Sequence, residues 1–388
     1  MKLIIVLSRF PYPLEKGDKL RAYHQIKELS TKHELYLICL TDVKIEQRWR
    51  DELNKYCKQI NIFRLNPILI YWNTAKQLFT DKPFQIGYFY QFNIQKKINS
   101  ILNEIVPDHI YCQLVRSAEY VKNFHHYKKT IDYMDALGKG MQRRAEISKG
   151  IWKKLYQIES RRLGEYENRI FDYFDAHTII SEQDKKFINH SDQNKIVVIE
   201  NGIAESFFSH ENKIKATFDI VFTGNMNYAP NVECAEFLVN KILPKLIPIY
   251  PKIKILLSGA NPGTRVKFLA SDNVTISGWV EDIRDSYSKG KIFVAPLFIG
   301  TGLQNKLLEA MAMGLPCITT TLANNALQAT ENENILIANN TNEFVEKICQ
   351  ILDNKLDITS MVEKSRDFVH ENFSWRKSTQ KLSSVFEP

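Results

Sequence analysis

Short runs of apolar residues alternate with longer amphipathic segments along almost the whole chain. The short runs predict strands at residues 2–8, 34–40, 60–65, 109–113, 130–134 and 177–180, and again at 218–223, 253–258, 274–277, 291–295, 316–320 and 335–338. The segments between them predict helices, among them 19–31, 94–105, 232–246 and 303–313. Strands that alternate with helices are typical of parallel sheets built from βαβ units. We therefore predict an α/β protein with two doubly wound, Rossmann-like domains, each with ligands at the carboxyl ends of its strands.

The boundary between the two domains is predicted at the turn Asn201-Gly202. A strand-like run ends just before this turn, and a polar stretch over 209–215 follows it. This places an N-terminal domain at residues 1–200 and a C-terminal domain at 201–372. The closing segment 373–388 is typical of a helix, and we expect it to cross back onto the first domain.

Cysteine usage and hydropathy restrict the class of protein. The six cysteines include no Cys-x-x-Cys pair, which argues against a disulfide framework or a zinc site and favours a reducing compartment. The apolar run at the start of the chain is too short for the core of a signal peptide. No apolar run approaches the roughly 18 residues that span a bilayer. We expect a cytoplasmic protein that touches a membrane at most at its surface.

Positive charge is concentrated in the first half of the chain. Residues 1–200 carry 33 Lys and Arg against 24 Asp and Glu, and the remaining residues carry 19 against 20, which sums to the totals of 52 and 44. Part of this charge surrounds apolar residues at helical spacing in the region 142–170, which could lie on an anionic membrane surface. The alternative is that this stripe packs on its own domain. No nucleic-acid partner is expected.

The segment 296–312 carries the strongest chemical signal. A β-branched run ends at Pro296, a Gly-x-Gly turn follows up to Gly302, and a strong helix-forming run comes next. Such a turn places free backbone N–H groups and the positive end of a helix where an anion can bind. Lys306 adds a positive charge, and Glu309 lies three residues later on the same helix face. This arrangement suits a nucleotide diphosphate, with phosphates at the helix end and hydroxyls at the carboxylate.

Two strand ends in the first half supply candidate cleft residues. The loop after the first strand runs into Gly17, Asp18, Lys19 and Arg21. Prolines stiffen this loop and its glycine permits close approach of the backbone, although Asp18 could simply cap the following helix. After the fifth strand, Asp135 could orient an acceptor hydroxyl or stabilise positive charge on a sugar ring. Its alternative role is also helix capping.

Two further strand ends lie in the second half. Gly224 and Asn225 follow a predicted strand and could approach a phosphate or a sugar, although plain turn chemistry also explains them. Trp279 and Val280 follow another strand, where the backbone could pair with a nucleobase edge, while Trp279 could instead belong to the core. One ligand could contact all of these residues, because they lie at successive strand ends.

Other catalytic chemistries lack their motifs. The sequence contains no Gly-x-Ser-x-Gly elbow, no His-Glu-x-x-His and no P-loop. The histidines show no ligand spacing, and the Asp-x-Asp metal motif of other sugar-transferring folds is absent. Neither a metal nor a cofactor is therefore expected.

At this level the chain resembles retaining glycosyltransferases of the GT-B fold, family 4. The resemblance runs over nearly the whole length and is strongest in FTGNMNYAPNVECAEFLVNKILP, VTISGWVEDIRDSYSKGKIFVAPL and GTGLQNKLLEAMAMGLPCITT. The first half is similar to a bacterial branch through PYPLEKGDKLRAYH and DYMDALGKGMQRRA. The resemblance implies two Rossmann-like domains facing across a cleft, with the nucleotide sugar held by the second and the acceptor by the first.

The resemblance also implies roles for single residues. Glu309 should bind the ribose hydroxyls, the backbone of Val280 should lie by the base, and Lys306 should stabilise the leaving diphosphate without a metal. The backbone that should meet the diphosphate or sugar belongs to Gly300, Thr301, Gly302 and Leu303.

Three departures from the family pattern bear on these roles. The family has two glutamates separated by seven residues, and Thr301 occupies the position of the first. The contact that this glutamate makes with sugar hydroxyls is therefore missing or altered here. Asn225-Met226-Asn227 replaces a turn that carries Arg and Lys in many members. Met134 stands where relatives often place a histidine before Asp135.

The sequence therefore predicts transfer of a sugar from a nucleotide sugar to a glycan or lipid-linked glycan acceptor, with retention of anomeric configuration, in cell-surface polysaccharide assembly. One alternative is a nucleotide-sugar epimerase of the same fold, which needs no acceptor. The other is a catalytically silent module that binds sugar nucleotides or glycans.

Overall fold

A computed structural model of the protein describes residues 1–14, 16–209, 216–299 and 303–387. The chain forms two compact units, Met1–Asn201 with Trp375–Pro388, and Gly202–Ser374. Each unit is built on one parallel β-sheet, with seven strands in the first and six in the second. The predicted α/β class with two doubly wound sheets is confirmed.

The sheet of the first unit has strands β1 (Lys2–Leu7), β2 (Glu34–Thr41), β3 (Gln59–Arg64), β4 (His109–Gln113), β5 (Lys128–Asp132), β6 (Ala176–Ile179) and β7 (Val197–Val198). Its helices are α1 (Gly17–Leu29), α2 (Gln47–Asn54), α3 (Pro67–Lys76), α4 (Phe84–Phe89), α5 (Phe92–Ile105), α6 (Val115–Ala118), α7 (Leu137–Ile147), α8 (Gly150–Phe171) and α9 (Glu182–Lys185). Short 3-10 turns occupy Gln77–Phe79 and Gln193–Lys195. The strand order β3-β2-β1-β4-β5-β6-β7 reverses between β1 and β4.

The central strand β1 separates two hydrophobic cores. Ile4 and Val6 belong to one core, and Leu3, Ile5 and Leu7 belong to the other. This follows because successive residues of a strand point to opposite faces of the sheet. A parallel strand covered on both faces needs apolar residues at every position, which explains the unbroken run at the start of the chain.

The region 142–170 is divided between α7 and α8. Helix α7 ends at Ile147, and α8 begins at Gly150 with a φ of +60°, a left-handed conformation that glycine adopts without strain. Leu163 and Ile170, late in α8, are completely or almost completely buried. Ile151 and Trp152, in its first turn, are exposed. Of the predicted stripe, Ile151 and Ile158 are therefore exposed, whereas the apolar residues that pack on the unit lie later in α8.

The sheet of the second unit has strands β8 (Phe218–Thr223), β9 (Ile255–Ser258), β10 (Val274–Gly278), β11 (Gly290–Ala295), β12 (Cys317–Thr319) and β13 (Leu336–Ile337). Its helices are α10 (Glu205–Phe208), α11 (Ala229–Phe237), α12 (Leu243–Leu246), α13 (Thr264–Lys267), α14 (Arg284–Ser288), α15 (Asn305–Ala312), α16 (Thr321–Leu327), α17 (Thr341–Leu352) and α18 (Ile358–Asn372). The order β10-β9-β8-β11-β12-β13 reverses between β8 and β11. Open α/β sheets bind ligands at such a reversal, beyond the carboxyl ends of the strands.

The helix predicted at 232–246 is not a regular α-helix. A π-helical segment, Leu238–Ile242, separates α11 from α12. Pro244 lies in the first turn of α12. Proline has no N–H group and its ring crowds the preceding turn, so the regular hydrogen-bond ladder cannot continue through it.

The last helix, α19 (Trp375–Phe386), belongs to the first unit. The indole ring of Trp375 stacks on the imidazole of His24 in α1, with ring centroids 4.7 Å apart and planes 9° apart. Leu382 and Phe386 join the same core as Leu3. Among the described helices, none has the length and apolar content that crossing a bilayer requires.

Candidate active site

The candidate site lies at the carboxyl end of β8, where the strand order of the second sheet reverses. Gly224 follows β8 with a φ of 154°, and a Cβ atom there would lie 2.6 Å from Nδ2 of Asn231. Gly259 follows β9 with a φ of 140°, and a Cβ atom there would lie 1.8 Å from the carbonyl oxygen of Gly224. Both positions require glycine. The two strand ends therefore meet as bare backbone, which is what close approach to a phosphate or sugar needs.

Lys306, in the first turn of α15, is tied to the loop after β8. Its Nζ atom donates to Oδ1 of Asn231 at 2.9 Å and to Oε1 of Gln304 at 3.1 Å. The Asn231 side chain donates in turn to the carbonyl oxygen of Asn225 at 3.0 Å. Burial lowers the pKa of Lys306, whereas Cys234 and Glu309 raise it. A half-buried ammonium in these surroundings is stabilised by any anion that reaches it.

Glu309 lies one helical turn beyond Lys306 and is held by Tyr287. The Tyr287 hydroxyl donates to Oε2 of Glu309 at 2.7 Å and lies 2.7 Å from Oγ1 of Thr223, at the end of β8. Burial raises the pKa of Glu309 to about 7, although the Tyr287 hydrogen bond and the charge of Lys306 lower it. The carboxyl group therefore changes charge close to neutral pH, and it can accept hydrogen bonds from hydroxyl groups in either form.

Three of the predicted donor-binding residues, Asn225, Lys306 and Glu309, are thus joined into one network of the second unit, since the Tyr287 hydroxyl also lies 3.4 Å from the carbonyl oxygen of Lys306. Asn231 links Lys306 to the backbone of Asn225, and Tyr287 links Glu309 to the strand that Gly224 follows. The network contains a cation, a carboxyl group and bare backbone at a sheet reversal. This is the chemistry that a phosphorylated, hydroxyl-bearing ligand requires.

Trp279 and Val280 lie beyond the end of β10. The Trp279 residue is 67% exposed, so the alternative that it belongs to the core is wrong. The carbonyl oxygen of Gly278 accepts a hydrogen bond from the Gly259 amide at 3.0 Å, which joins this strand end to the loop after β9. Between described residues, no hydrogen bond joins Trp279 or Val280 to the network around Lys306. Their predicted contact with a base stays a prediction.

The Gly-x-Gly turn itself, Gly300, Thr301 and Gly302, lies outside the described residues. Leu303 is partly buried against the core of the second unit. Helix α15 begins at Asn305 and not at 303, and the Gln304 side chain makes no capping hydrogen bond to it. The amino end of α15 therefore starts two residues later than predicted.

Arg21 is placed differently from the expectation that it lines the cleft. It is completely buried, and its guanidinium group donates to Asp132 at 2.7 Å and to the carbonyl oxygen of Ile199 at 2.7 Å. Helical spacing turns this residue of α1 toward the sheet, on the same side as the buried Gln25 one turn later. The observed contacts are those of a structural ion pair.

The other predicted residues at this strand end differ in exposure, since Gly17 is exposed and Asp18 is buried. Asp18 accepts a hydrogen bond from Arg9 at 2.7 Å, and α1 has no side-chain cap, so the capping alternative for Asp18 is wrong. A Cβ atom on Gly17 would lie 3.3 Å from Cε of Met134, which places the loop after β1 beside the loop after β5. Lys19 is partly buried.

Asp135 follows β5 but does not cap α7. The N-cap position is Ala136, and the first-turn amide of Leu137 donates instead to Glu167 of α8 at 2.6 Å. Asp135 is an exposed residue, yet the protein around its carboxyl group raises its pKa to about 6 by desolvation. Asp184 raises this pKa further, and Arg116 lowers it. A carboxyl group with a pKa raised in this way is a candidate for acid–base catalysis or for electrostatic stabilisation of a substrate.

Residues 217–354 match the family of group 1 glycosyl transferases. The second unit therefore carries the domain of the group 1 glycosyl transferases, and the chain is a retaining glycosyltransferase. The matched range contains every residue of the network around Lys306 and Glu309.

One relative matches this transferase over its whole length and another over part of it. A Klebsiella pneumoniae protein of 44.6 kDa in the cps region is 23% identical over 404 residues, covering 100% of this chain and 99% of its own. An Escherichia coli enzyme, UDP-Gal:α-D-GlcNAc-diphosphoundecaprenol α-1,3-galactosyltransferase, is 24% identical over 157 residues, 40% of each chain.

Solved structures show the same fold. Anabaena HepE in complex with UDP has a TM-score of 0.69 and 13% identity, covering 99% of each chain. HepE in complex with UDP-glucose has a TM-score of 0.68 and 12% identity, covering 99% of this chain and 98% of its own. The predicted GT-B fold is confirmed for the transferase.

Asn231 and Tyr287 are the site residues of the transferase that sequence reasoning missed. Asn231 lies in the quoted motif after β8, six residues beyond Asn225, but its amide group could equally belong to a turn. Tyr287 lies in a short helix before β11 and carries no local signal, because its partners Thr223 and Glu309 are remote in sequence. Within the described residues, no group of three or more His, Cys, Asp and Glu is arranged to hold a metal.

Proposed function

We propose that this transferase moves a hexose from a UDP-sugar to a glycan or lipid-linked glycan, with retention of configuration, during assembly of a cell-surface polysaccharide. The setting is supported by the Klebsiella relative in a cps region. The donor and the acceptor class are supported by the Escherichia coli galactosyltransferase and by the two HepE complexes.

The observation that carries the proposal is the pairing of Lys306 with Glu309 on one face of α15, at the reversal of the second sheet. Lys306 would contact the diphosphate and stabilise the negative charge that develops on it as the glycosidic bond to the donor breaks. Glu309 would accept hydrogen bonds from the ribose hydroxyls. Gly224 and Asn225 would offer bare backbone beside the sugar or phosphates, and Asn231 keeps the ammonium in position.

The first unit would supply the acceptor side of the reaction. Asp135 is the strongest candidate there, because a carboxyl group with a pKa raised to about 6 is partly ionised near neutral pH. In its ionised form it would orient an acceptor hydroxyl or stabilise positive charge on the sugar ring. Gly17, Asp18 and Lys19 form the neighbouring first turn of α1 and remain candidates for acceptor contact. The cytoplasmic location and the independence from metal stay predictions.

A donor panel and a product analysis test the proposal. Thermal shifts with UDP-hexoses and with other nucleotide sugars should show stabilisation by the UDP-hexoses, because a ligand that binds only the folded state raises the melting temperature. The stabilising donor, incubated with a lipid-linked glycan extract, should then give a glycosylated lipid whose new linkage keeps the donor configuration. Conversion of the donor sugar without acceptor would support an epimerase instead. Donor binding without any turnover would support the silent module.

A further inference from the structure

Helix α3 and the turn after it expose a cluster of large apolar side chains. None of the α3 residues is buried. Ile68, Tyr71 and Trp72 are 66%, 77% and 72% exposed, and Leu78 and Phe79 in the following 3-10 turn are 58% and 89% exposed. Single exposed apolar residues are ordinary on a protein surface, but a contiguous group marks an interaction site.

A second group of exposed apolar residues lies at the start of α8. Ile151, Trp152 and Ile158 are 70%, 61% and 38% exposed. They belong to the stripe that the sequence pattern left open between a membrane surface and packing on its own domain. In the part of the chain that the structure describes, no other segment covers these apolar side chains of α8.

The two groups lie on one surface of the first unit. Nη1 of Arg162, in α8, donates to the carbonyl oxygen of Gln77 at 2.6 Å, which ties α8 to the turn that carries Phe79. Ile158 and Ile151 precede Arg162 by four and eleven positions, a spacing that places all three on the same helix face. We call this surface the basic apolar face. It consists of Ile68, Tyr71, Trp72, Leu78, Phe79, Ile151, Trp152 and Ile158.

Positive charge surrounds this face. Residues 139–162 contain eight Lys and Arg against two Asp and Glu, by count from the sequence. Exposed cations beside the apolar side chains are Lys76, Lys149, Lys153, Lys154 and Arg161. Tryptophan and tyrosine favour the interface between water and lipid, and a cluster of lysine and arginine favours anionic headgroups.

We propose that the basic apolar face inserts into the surface of an anionic lipid bilayer. Trp72, Phe79 and Trp152 would enter the boundary between headgroups and acyl chains, and the lysines would contact lipid phosphates. The inference goes beyond the transfer reaction and rests on the exposed residues alone. It would hold a lipid-linked acceptor and the enzyme at one surface.

Vesicle binding of the full chain tests this inference. The transferase should sediment with vesicles that contain phosphatidylglycerol and should bind vesicles of phosphatidylcholine alone at least tenfold more weakly, since the positive charges need anionic lipid. Phe79→Ser should weaken binding to the anionic vesicles about tenfold. Phe268→Ser is the matched control, because Phe268 is an 83% exposed phenylalanine of the second unit, and it should bind like the unaltered chain.

Charge-reversal variants test the membrane inference independently. Lys153→Glu with Lys154→Glu should weaken binding at least tenfold, whereas Lys241→Glu with Lys267→Glu, two exposed positions of the second unit, should change it less than threefold. None of these variants touches the donor network, so UDP binding should persist in all of them. Loss of vesicle binding with intact UDP binding therefore separates this inference from the proposed function.

Quenching by brominated lipid locates the inserted residues. Tryptophan fluorescence should be quenched by bromine on the acyl chains, and Trp72→Phe with Trp152→Phe should abolish the quenching while binding persists. Equal binding of the Phe79→Ser and unaltered chains would overturn the inference, as would quenching that survives removal of both tryptophans. A dimer in solution that Phe79→Ser dissociates would also overturn it, because the face would then cover a second copy.

Discussion

Two charge networks at strand carboxyl ends, one in each unit, differ in burial and in how completely their charges are paired within the protein. In the first unit, Arg21 and Asp132 form an ion pair with both side chains 0% exposed, and Tyr111 adds a hydrogen bond to the same carboxylate at 2.8 Å. In the second unit, Lys306 and Glu309 are partly exposed and are held mainly by the neutral partners Asn231 and Tyr287. The first network is closed within the protein, and the second keeps part of its charge at the surface.

The difference separates a charge that holds the fold from a charge that meets a ligand. A buried ion pair is costly to break, because the remaining charge is left without a partner in a region that excludes water. A half-buried charge with neutral partners gains more from a ligand of opposite sign. Position at a strand end, taken alone, does not distinguish the two cases.

The largest expected effect is on the closed network. Arg21→Leu should lower the free energy of unfolding by about 3–5 kcal/mol, because Asp132 would remain buried without its counter-ion. Urea denaturation followed by circular dichroism measures this. Arg21→Leu with Asp132→Asn should recover part of the loss, and Arg9→Ala, in a partly exposed pair with Asp18, should cost less than about 1 kcal/mol. Equal losses of unfolding free energy for Arg9→Ala and Arg21→Leu would contradict the claim that the buried ion pair holds the fold.

Replacing the cation of the open network should affect reaction more than folding. Lys306→Met should lower kcat/KM for the nucleotide sugar by roughly 10–150-fold, since a charge-assisted hydrogen bond contributes about 1.5–3 kcal/mol. The control is Lys241→Met, at an exposed site of the same unit, and it should leave kcat/KM unchanged. A folded Lys306→Met enzyme with unaltered kinetics would show that this charge does not meet the donor.

Making the carboxyl group neutral should stabilise the free protein above neutral pH. Because the pKa of Glu309 is raised to about 7 from its usual 4.5, the unaltered protein loses stability as pH rises from 4.5 toward 7. Glu309→Gln lacks this loss and should be more stable by about 3 kcal/mol at pH 8, with no difference below pH 4.5. Thermal unfolding across this pH range measures the difference, and a constant difference at all pH values would contradict the assignment.

The smallest expected effect concerns the support of that carboxyl group. Tyr287→Phe should weaken UDP binding about fivefold, the value of one hydrogen bond of about 1 kcal/mol. It should also move the pH midpoint of UDP binding upward, because the Tyr287 hydrogen bond holds the pKa of Glu309 down. Tyr250→Phe removes an exposed tyrosine hydrogen bond to Asp353 in the same unit and should leave both quantities unchanged.

Most of the fold could be predicted from the sequence, because buried parallel strands are nearly continuous apolar runs. The bounds of β4 and β8 agree with the prediction at both ends. The strand-like run predicted before Asn201-Gly202 contains β7, although β7 itself covers only two residues. The π-helical segment in 238–242 depends on how one turn accommodates Pro244, which periodicity does not describe.

The site could be predicted only in part. Lys306 and Glu309 could be predicted because their spacing on one helix face is a local property of the sequence. Tyr287 and Asn231 were not, since Lys306 meets Asn231 across 75 positions and Tyr287 meets Thr223 across 64. The burial of Arg21 could not be predicted from apolar periodicity, because the buried residue one helical turn later, Gln25, is polar as well.

Calorimetric titration of UDP into the unaltered transferase and into Glu309→Ala tests the central claim most directly. Loss of charged hydrogen bonds to the ribose should raise the dissociation constant at least tenfold at pH 8, while Glu346→Ala, at an exposed helical site of the same unit, should bind as the unaltered chain does. Equal affinity of folded Glu309→Ala and the unaltered chain would contradict the claim that this carboxyl group binds the nucleotide.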